Sequence, residues 1–406
     1  MAAALAALRL EQGDEGIVAD NSQAGVVAAV DLPAGWRTVP ATREGSPAHT
    51  RNVAALAAGC DWLLFLDSDT EPPPDLIDRF FAEPIPDEVG IVGGRVLSDE
   101  RQDSVAALWA DSRGMTAQES HMIHPFRPYF LSACLLARRE LWSDLGGFFE
   151  GIFNGEDVDF CWRALEAGWQ LRLSEEAAVV HLHRESVKAL AKQAAVRGAS
   201  ASWVYRRWPQ AVRPRRPGPL LIAKGIVVTP AMALVGQLQR AQLRALDVAT
   251  QVAERWGTLR DNRARPRPGA EGTPVEIWCE EFPLRSDGAV ADAARELAAR
   301  GRSVTVVAAR RPDRPALGVH DVRARYLEDE TPLERLRALV RLAARRPLAG
   351  LRAGGDVRAL APSVARLRRA PGVEVRLLPG DPAAARARRA AELAGRPYGE
   401  LQPAVA

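Results

Sequence analysis

Short apolar segments that alternate with alanine- and leucine-rich stretches constrain the fold of this chain more than any other feature. Residues 2–11, 52–59 and 157–168 have helical composition, and a glycine closes each of them. Strands that alternate with helices predict an α/β fold with a doubly wound, mostly parallel sheet. The strand-like segments are IVAD (17–20), WLLFL (62–66), GIVGGRVL (90–97), FLSACLLAR (130–138) and AAVVHLH (177–183).

The composition changes after residue 183. Residues 184–216 hold nine Lys or Arg and one acid, and helical sequence continues to residue 256, so we predict a basic and apolar helical extension over 184–256. Residues 257–273 are rich in Gly, Pro and Arg, as domain linkers are. From residue 274, the segments VEIWCEEF, ADAARELAARG and SVTVVAA predict strand, helix and strand, which opens a second, Rossmann-like α/β domain over 274–406.

The composition also argues against several classes of protein. With 54 Lys or Arg against 51 Asp or Glu, a formal charge of +3 is too balanced for a nucleic-acid-binding protein. Four cysteines without CxxC spacing argue against a zinc site and a disulfide framework, and they favour a reducing cytoplasm. Residues 219–236 are apolar, but Lys224 and Pro230 interrupt them, so we predict a buried or interfacial helix rather than a membrane span.

Two aspartates directly follow the apolar segment 62–66, in the sequence FLDSDT. Period two places Asp67 and Asp69 on the same side of extended backbone, at the strand end where open α/β sheets bind ligands. Two carboxylates at this spacing can share one Mg²⁺ or Mn²⁺ ion, which in turn neutralises a diphosphate. A polar turn after a strand explains the same residues equally well.

Three acids, Glu156, Asp157 and Asp159, lie at the start of a predicted helix. The helix dipole favours acids there, and Asp159 can pair with Arg163 one turn later, so we assign Asp159 a structural role. Glu156 and Asp157 are adjacent carboxylates that repel each other unless a cation or a bound hydroxyl offsets the repulsion. The functional interpretation of this pair is a general base.

Two more candidate sites lie at the ends of predicted elements. His181 and His183 alternate at the end of the last apolar strand, where a neutral imidazole could complete a metal site or simply cap the strand. The pattern cannot separate these two histidines. Arg51, at a helix start, could hold phosphate oxygens together with the helix N-terminus, or could be a solvated surface arginine.

The motifs VADNS, TRN, FLDSDT, GGF, NGEDVDFCWR and VVHLH, in this order, resemble those of the inverting family 2 glycosyltransferases of GT-A type. The resemblance covers roughly residues 5–210, and the order of the motifs is more specific than any single one. It implies that Asp20 contacts the nucleotide and that Arg51 contacts the diphosphate. In the DxD motif it implies a ribose and metal-side role for Asp67 and direct metal ligation by Asp69.

The same resemblance implies roles for the later motifs. Asp157 would be the base, Glu156 would orient the acceptor, and His181 would help to hold the metal. Family members begin with a strand and loop of the VSVVIPTYN kind, which has no counterpart before residues 2–11, so we expect domain 1–183 to lack its first strand. Ser132 and Phe149 stand where the family usually has a glycine and an acid, which alters the expected acceptor more than the fold.

Residues 274–406 resemble something different, namely the N-terminal half of a family 4, GT-B-type glycosyltransferase. The donor-binding half of that family has no counterpart in this sequence, so we expect this region to act as a scaffold rather than as a second catalyst.

These resemblances predict a metal-dependent, inverting transferase that moves a sugar from a nucleotide-diphosphate donor to a hydroxyl acceptor. The acceptor would be a glycan or a lipid-linked molecule in bacterial envelope, polysaccharide or glycoconjugate synthesis, and the cofactor Mg²⁺ or Mn²⁺. The main alternative is a catalytically inactive homologue that binds or scaffolds. A sugar-phosphate nucleotidyltransferase would need a glycine-rich, basic loop after the first strand, which this sequence lacks.

The basic residues of 184–216 allow three interpretations. They form a solvated helix face, contact anionic lipid headgroups, or bind an anionic, lipid-linked acceptor, and the solvated face is our default. The expected location is therefore the cytoplasm, with the inner face of the plasma membrane as the alternative. We expect no nucleic-acid partner.

Overall fold

The computed structural model describes residues 7–22, 24–213, 219–266, 272–283, 288–317, 319, 321–345, 355–370 and 372–401. Residues 2–6 of the predicted helix over 2–11 lie outside this described part, and residues 8–11 are not helical. The predicted strands at 17–20, 62–66, 90–97, 130–138 and 177–183 and the helices at 52–59 and 157–168 all overlap elements of the same type, although residues 130–133 precede the strand that was predicted to include them.

The elements up to residue 207 are numbered in chain order. The strands are β1 (Gly16–Asp20), β2 (Trp36–Pro40), β3 (Glu44–Gly45), β4 (Trp62–Leu66), β5 (Thr70–Glu71), β6 (Val89–Ser98), β7 (Cys134–Arg138) and β8 (Gln170–His181). The helices are α1 (Pro47–Ala57), α2 (Leu76–Phe80), α3 (Val105–Ser112), α4 (Gln118–Met122), α5 (Arg139–Asp144), α6 (Glu156–Glu166) and α7 (Val187–Arg207).

The remaining elements follow the same scheme. The strands are β9 (Arg265–Pro266), β10 (Pro274–Glu281), β11 (Ser303–Arg310), β12 (Ala324–Tyr326), β13 (Glu374–Leu377) and β14 (Tyr398–Glu400). The helices are α8 (Pro219–Leu234), α9 (Leu238–Gly257), α10 (Ala289–Ala299), α11 (Pro332–Arg345), α12 (Gly355–Arg369) and α13 (Ala383–Ala394).

The N-terminal half is built on a mixed sheet of strand order β4-β7-β6-β8-β5. The β6–β8 pairing is parallel, whereas β4–β7, β6–β7 and β5–β8 are antiparallel. Strands β1 and β2 form a separate parallel pair. The expectation of a mostly parallel sheet is therefore wrong for this sheet, because alternation of strands and helices along the sequence does not encode strand direction.

Helix α1 begins several residues before the predicted segment. Ser46 caps it, accepting a hydrogen bond from the backbone N–H of His49 at 3.2 Å, and Pro47 occupies the first helical position. A capping serine followed by proline favours helix initiation, because proline has no N–H to leave unpaired. This start places Arg51 near the first turn of α1.

Helix α6 packs between the sheet and α7. On one side Phe160, Cys161 and Ala164 are buried in the core that contains Phe65, Ile91, Leu135 and Trp142. On the other side Trp162 packs with Trp203 and Trp208. The glycine before the helix, Gly155, has a φ of 95°, a left-handed conformation that directs the chain into α6.

Helix α7 lies in the predicted basic and apolar helical extension, and one of its faces is buried. Its buried residues include Leu190, Ala194, Gly198 and Trp203, and it packs closely against α9. A carbon added at Gly198 would lie 1.9 Å from the Glu254 carbonyl oxygen, so only glycine permits this approach. The basic residues occupy part of the helix surface, while its small residues form a packed face.

Helix α8 is exposed along much of its apolar surface rather than buried. Leu220, Val227 and Leu234 are 86%, 74% and 88% exposed. Within the described residues, no helix combines the length and the apolar character required to cross a bilayer. The interfacial alternative of the sequence analysis agrees with this exposure, and the buried alternative does not.

The C-terminal half contains an entirely parallel sheet of order β12-β11-β10-β13-β14. The first strand of this region, β10, is central, and its buried residues Val275, Ile277 and Cys279 pack beneath α10. The region contacts the N-terminal half directly, since Trp203 Nε1 donates a hydrogen bond to Asp329 at 2.9 Å. The segment before it also adds β9 to β3.

Candidate active site

One large cavity of about 1690 Å³ lies at the carboxyl ends of β1 and β4. Strand ends of this kind are where α/β proteins bind ligands. All seven residues that the sequence analysis singled out as site candidates line this cavity: Asp20, Arg51, Asp67, Asp69, Glu156, Asp157 and His181. They come from a chain interval of more than 160 residues, so tertiary folding brings them together.

Arg51 connects two of the predicted motifs. Its Nη2 donates a hydrogen bond to Asp67 Oδ1 and its Nη1 donates to Glu156 Oε1, each at 2.6 Å. Burial would lower the pKa of Arg51, but the charges of Asp67 and Glu156 raise it. Arg51 is therefore not a solvated surface arginine but a charged bridge inside the cavity.

The turn after β4 holds the DxD motif in place. The backbone N–H of Thr70 donates to the Asp67 carbonyl oxygen at 3.1 Å, and the N–H of Leu182 donates to the Asp69 carbonyl oxygen at 3.0 Å. Strand β5 then pairs with β8, with Thr70 opposite His181. The short strand β5 explains why a segment 110 residues later lies beside the second aspartate.

Asp69 and His181 form a suitable pair of ligands for a divalent cation. His181 Nε2 lies 3.5 Å from Asp69 Oδ1, and His181 Nδ1 is buried with no hydrogen-bond partner. A carboxylate oxygen is a ligand of Mg²⁺ and Mn²⁺, whereas an imidazole nitrogen is a ligand of first-row transition-metal ions. The described residues contain no group of three or more His, Cys, Asp or Glu that could hold a metal, so the remaining ligands would have to come from a bound diphosphate or water.

The structure separates the two histidines that the sequence pattern could not. His183 Nε2 lies 2.9 Å from Ser98 Oγ, and its backbone N–H donates to Gln102 at 2.7 Å. Both rings line the cavity, with their centroids 5.6 Å apart. His181 faces Asp69, whereas His183 is engaged by Ser98.

Glu156 is buried, and the adjacent Asp157 is partly exposed. Burial, and then the charge of Asp157, raises the pKa of Glu156 to about 7, while Arg51 opposes this rise. Burial also raises the pKa of Asp157, against the lowering effects of Arg51 and of backbone hydrogen bonds from Val158 and Ser132. Both carboxyls therefore bind protons more tightly than ordinary acids do.

Asp20 organises the loop after β1. Its Oδ1 accepts the backbone N–H of Ser22 at 2.8 Å, and its Oδ2 accepts that of Val27 at 3.0 Å. Burial favours the protonated form, but these hydrogen bonds outweigh it and lower the pKa of Asp20. The carboxylate is therefore charged and faces the cavity from a fixed loop.

Part of this chain is similar to known glycosyltransferases. Residues 16–199 match the family model described as "Glycosyltransferase like family 2". The "Pre-mycofactocin glycosyltransferase" of Mycobacterium tuberculosis is 33% identical over 195 residues, which are 47% of this chain and 40% of that protein. The similarity to this family therefore extends over residues 16–199, which are less than half of the chain.

The solved structures that match part of the chain have lower sequence identity. Glucosyl-3-phosphoglycerate synthase from Mycobacterium tuberculosis in complex with phosphoglyceric acid is 17% identical, with a TM-score of 0.32 over 44% of this chain and 64% of that one. A complex of the same enzyme with Mn²⁺, UDP-glucose and phosphoglyceric acid is 17% identical, with a TM-score of 0.31 over 47% and 65%.

The cavity also contains residues that the sequence analysis did not single out. Arg184 Nη2 lies 3.4 Å from Asp69 Oδ2, so a cation on Asp69 would have this guanidinium beside it. In the sequence, Arg184 directly follows the motif VVHLH, and this position could have marked it as a site residue. His121, Tyr129 and Arg197 line the cavity as well, and no motif marked them.

Ser132 and Phe149, the two residues that differ from the family pattern, lie in different surroundings. Ser132 lies at the site, where its backbone N–H donates a hydrogen bond to Asp157. Phe149 is buried away from solvent, with the guanidinium carbons of Arg163 and Arg207 4.4 and 4.8 Å from its ring centroid. Asp159 pairs with Arg163 at 2.7 Å, which confirms the structural role predicted for it.

Proposed function

We propose that this protein is an inverting, metal-dependent glycosyltransferase that moves a sugar from a nucleotide-diphosphate donor to an acceptor hydroxyl. The observation that carries the proposal is the Arg51 bridge, which joins the DxD aspartate Asp67 to the carboxylate pair in one cavity. The chain spans 40% of the curated relative, so the activity is inferred from the site and the family 2-like domain together.

In the proposed reaction, Asp157 is the base. It takes the proton of the acceptor hydroxyl as that oxygen forms a bond to the anomeric carbon, while the bond from that carbon to the donor diphosphate breaks. Attack from the side opposite the leaving group inverts the anomeric centre. The raised pKa of Asp157 suits this role, because a carboxylate that binds protons more tightly is the stronger base.

Glu156 would orient the acceptor. One of its oxygens is held by Arg51, and the other, Oε2, is buried without a hydrogen-bond partner in the described structure. An acceptor hydroxyl would satisfy this oxygen, and a buried polar atom left unpaired costs free energy. The bridge through Arg51 then fixes the acceptor group relative to the donor side.

Asp20, Arg51 and Asp67 would bind the donor, and Asp69 with His181 would hold the Mg²⁺ or Mn²⁺ ion. When bound, the cation neutralises negative charge on the diphosphate. Arg51 adds a second positive charge from the first turn of α1. These assignments follow the family motifs, and their support here is that all five side chains line one cavity.

We also propose the domain boundaries 1–183, 184–256, 257–273 and 274–406, with a Rossmann-like scaffold in the last of them. Its support is the all-parallel sheet with β10 at the centre, an order typical of doubly wound folds. The exposed apolar side of α8, with Lys224 among its exposed residues, supports a further proposal that this helix rests on an anionic lipid surface.

The first experiment measures nucleotide binding by isothermal titration with UDP, GDP and dTDP in the presence of Mn²⁺, followed by transfer assays with UDP-sugars. Asp157→Asn should lower kcat by about 10²–10⁴-fold while the nucleotide Kd is unchanged, because the base acts on the acceptor. Unchanged turnover would remove Asp157 from this role. Failure of the unmodified protein to bind any nucleotide would favour the inactive homologue.

A further inference from the structure

A stacked pair of rings forms one wall of the cavity beyond the carboxylate pair. His121 lies parallel to Tyr129, with the ring centroids 4.7 Å apart and an interplanar angle of 20°. His124 meets Tyr129 edge-on at 5.6 Å. Burial, then the charge of His124, lowers the pKa of His121 to about 4, so the ring is neutral at physiological pH. This wall is flat, uncharged and open to the cavity.

The wall lies next to the proposed base. Burial raises the pKa of Tyr129, and the nearby charge of Asp157 raises it further. Trp162, on the same helix as Asp157, also lines the cavity, with its ring centroid 6.3 Å from that of Tyr129. A molecule placed against these rings would therefore present its groups to Asp157.

A positively charged residue faces the same space. Arg197, on α7, lines the cavity, and its Nη1 contacts the thioether sulfur of Met115 at 2.8 Å. Burial lowers the pKa of Arg197, and the charge of Glu254, which also lines the cavity, opposes this effect. A guanidinium carries five N–H donors and stays protonated, and a thioether is a weak acceptor. Arg197 thus has donors to offer to a negatively charged ligand.

One polar atom on this wall, a ring nitrogen of His121, has no hydrogen-bond partner among the described residues. His121 Nε2 is buried and has no hydrogen bond in the described structure. Farther out, Tyr205 Oη lies 3.2 Å from His124 Nε2, and the guanidinium of Arg213 lies 5.3 Å from the Tyr205 ring centroid. The space therefore combines ring surfaces, an unpaired imidazole nitrogen and two arginines.

We propose that this wall is the acceptor subsite and that it selects an acceptor carrying both a flat ring and a negatively charged group. The ring would stack on His121 and Tyr129, and the anionic group would pair with Arg197. This inference rests on the proposed function only in calling the ligand an acceptor. Either an aromatic ring or the apolar face of a pyranose has the required shape.

The test measures binding of small ring alcohols by isothermal titration, with UDP and Mn²⁺ present. The probes are 4-(hydroxymethyl)benzoate, its neutral amide, glucuronate and methyl glucoside. We expect at least one acid to bind about tenfold or more tightly than its neutral counterpart, because a charge-assisted hydrogen bond is lost in the neutral probe. The preferred acid identifies the ring as aromatic or pyranose.

Three variants localise the effect. Arg197→Gln should remove the preference for the acid, whereas the matched control Arg206→Gln, exposed on the same helix and outside the cavity, should retain it. Tyr129→Leu should weaken an acid and its neutral counterpart equally. Retained UDP binding by each variant shows that it is folded.

These measurements distinguish failure of the proposed acceptor subsite from failure of the proposed transferase activity. Equal binding of acids and neutral probes, no binding of any probe, or a preference that survives in Arg197→Gln would overturn the subsite. Selective binding of an acid without sugar transfer would refute the transferase assignment and leave the anionic ring site in place.

Discussion

At the scale of single residues, Arg51 determines the electrostatics of the cavity. It is the buried cation between Asp67 and Glu156, and its single positive charge offsets part of their combined negative charge. Asp69 is outside this bridge and lies beside His181 and Arg184. The two aspartates of the DxD motif thus have different partners, which fits a nucleotide-side role for one and a metal role for the other.

The carboxylate pair predicts the pH dependence of turnover. Asp157 must be deprotonated to act as base, and burial raises its pKa, so kcat/KM should begin to fall at a higher pH than it would with an ordinary aspartate as the base. Glu156, with a pKa of about 7, should add a second inflection near neutral pH. Rate profiles from pH 4.5 to 8.5 would measure both.

The variant Glu156→Gln provides the control for that profile. It removes the group that titrates near pH 7, so only the lower inflection should remain. A profile that stays flat down to pH 4.5 in the unmodified protein would contradict the assignment of Asp157 as a base with a raised pKa.

At the scale of elements, a network of buried hydrogen bonds holds helix α6 in place. Arg163 donates to Asp159 and to the carbonyl oxygens of Leu145 and Gly147, at 2.7 to 2.8 Å. Trp208, just after α7, donates its Nε1–H to the other oxygen of Asp159 at 3.0 Å. Because these buried groups are all paired, the helix start that carries Glu156 and Asp157 is held at one position.

Because helix α8 exposes apolar residues beside Lys224, we predict that the protein binds membranes and that this binding depends on the charge of the lipid. We expect the protein to cosediment with vesicles containing anionic lipid, and Val227→Glu should lower the bound fraction about tenfold, since it places a charge on the apolar face. The matched control is Val252→Glu on α9, which also replaces an exposed valine. Equal binding to neutral vesicles, or binding insensitive to salt and to Val227→Glu, would contradict the prediction.

At the scale of the whole molecule, the C-terminal half braces the loop that precedes the carboxylate pair. Arg311 is buried, pairs with Asp329 at 2.8 Å and donates to the Glu150 carbonyl oxygen at 3.0 Å. Its guanidinium also lies 3.7 Å from the Tyr326 ring centroid. On the other side of this loop, the N–H of Phe153 donates to the Asn262 carbonyl oxygen at 2.7 Å.

These contacts of Arg311 predict that the C-terminal half affects both the stability of the protein and the turnover at the cavity. Arg311→Met should destabilise the protein by about 3–5 kcal/mol, because it leaves Asp329 buried without its cation. Its effect on kcat/KM should exceed that of Arg310→Met, which removes an exposed arginine from the neighbouring position. Thermal unfolding and transfer assays would measure the two effects. Equal unfolding midpoints for the two variants would contradict the brace.

The sequence by itself determined the local structure of this protein. Apolar runs of strand length and helical stretches closed by glycine act within a few residues, so β4, β6 and α6 were predicted close to where they occur, whereas α1 begins before its predicted segment. Acids after a strand and at a helix start pointed to Asp67, Asp69, Glu156 and Asp157 by the same short-range logic. The Asp159–Arg163 pair needed only helical spacing.

Only the tertiary structure decided which of these residues meet. The sheet is mixed because β7 runs antiparallel to both its neighbours, and no local pattern encodes that direction. The pairing of β5 with β8 selected His181 over His183. The charge of the residues after β8 is visible in the sequence and predicted a basic helical extension, whereas the fit of Gly198 against α9 is not visible there. Long-range packing, rather than composition, placed Arg197 in the cavity.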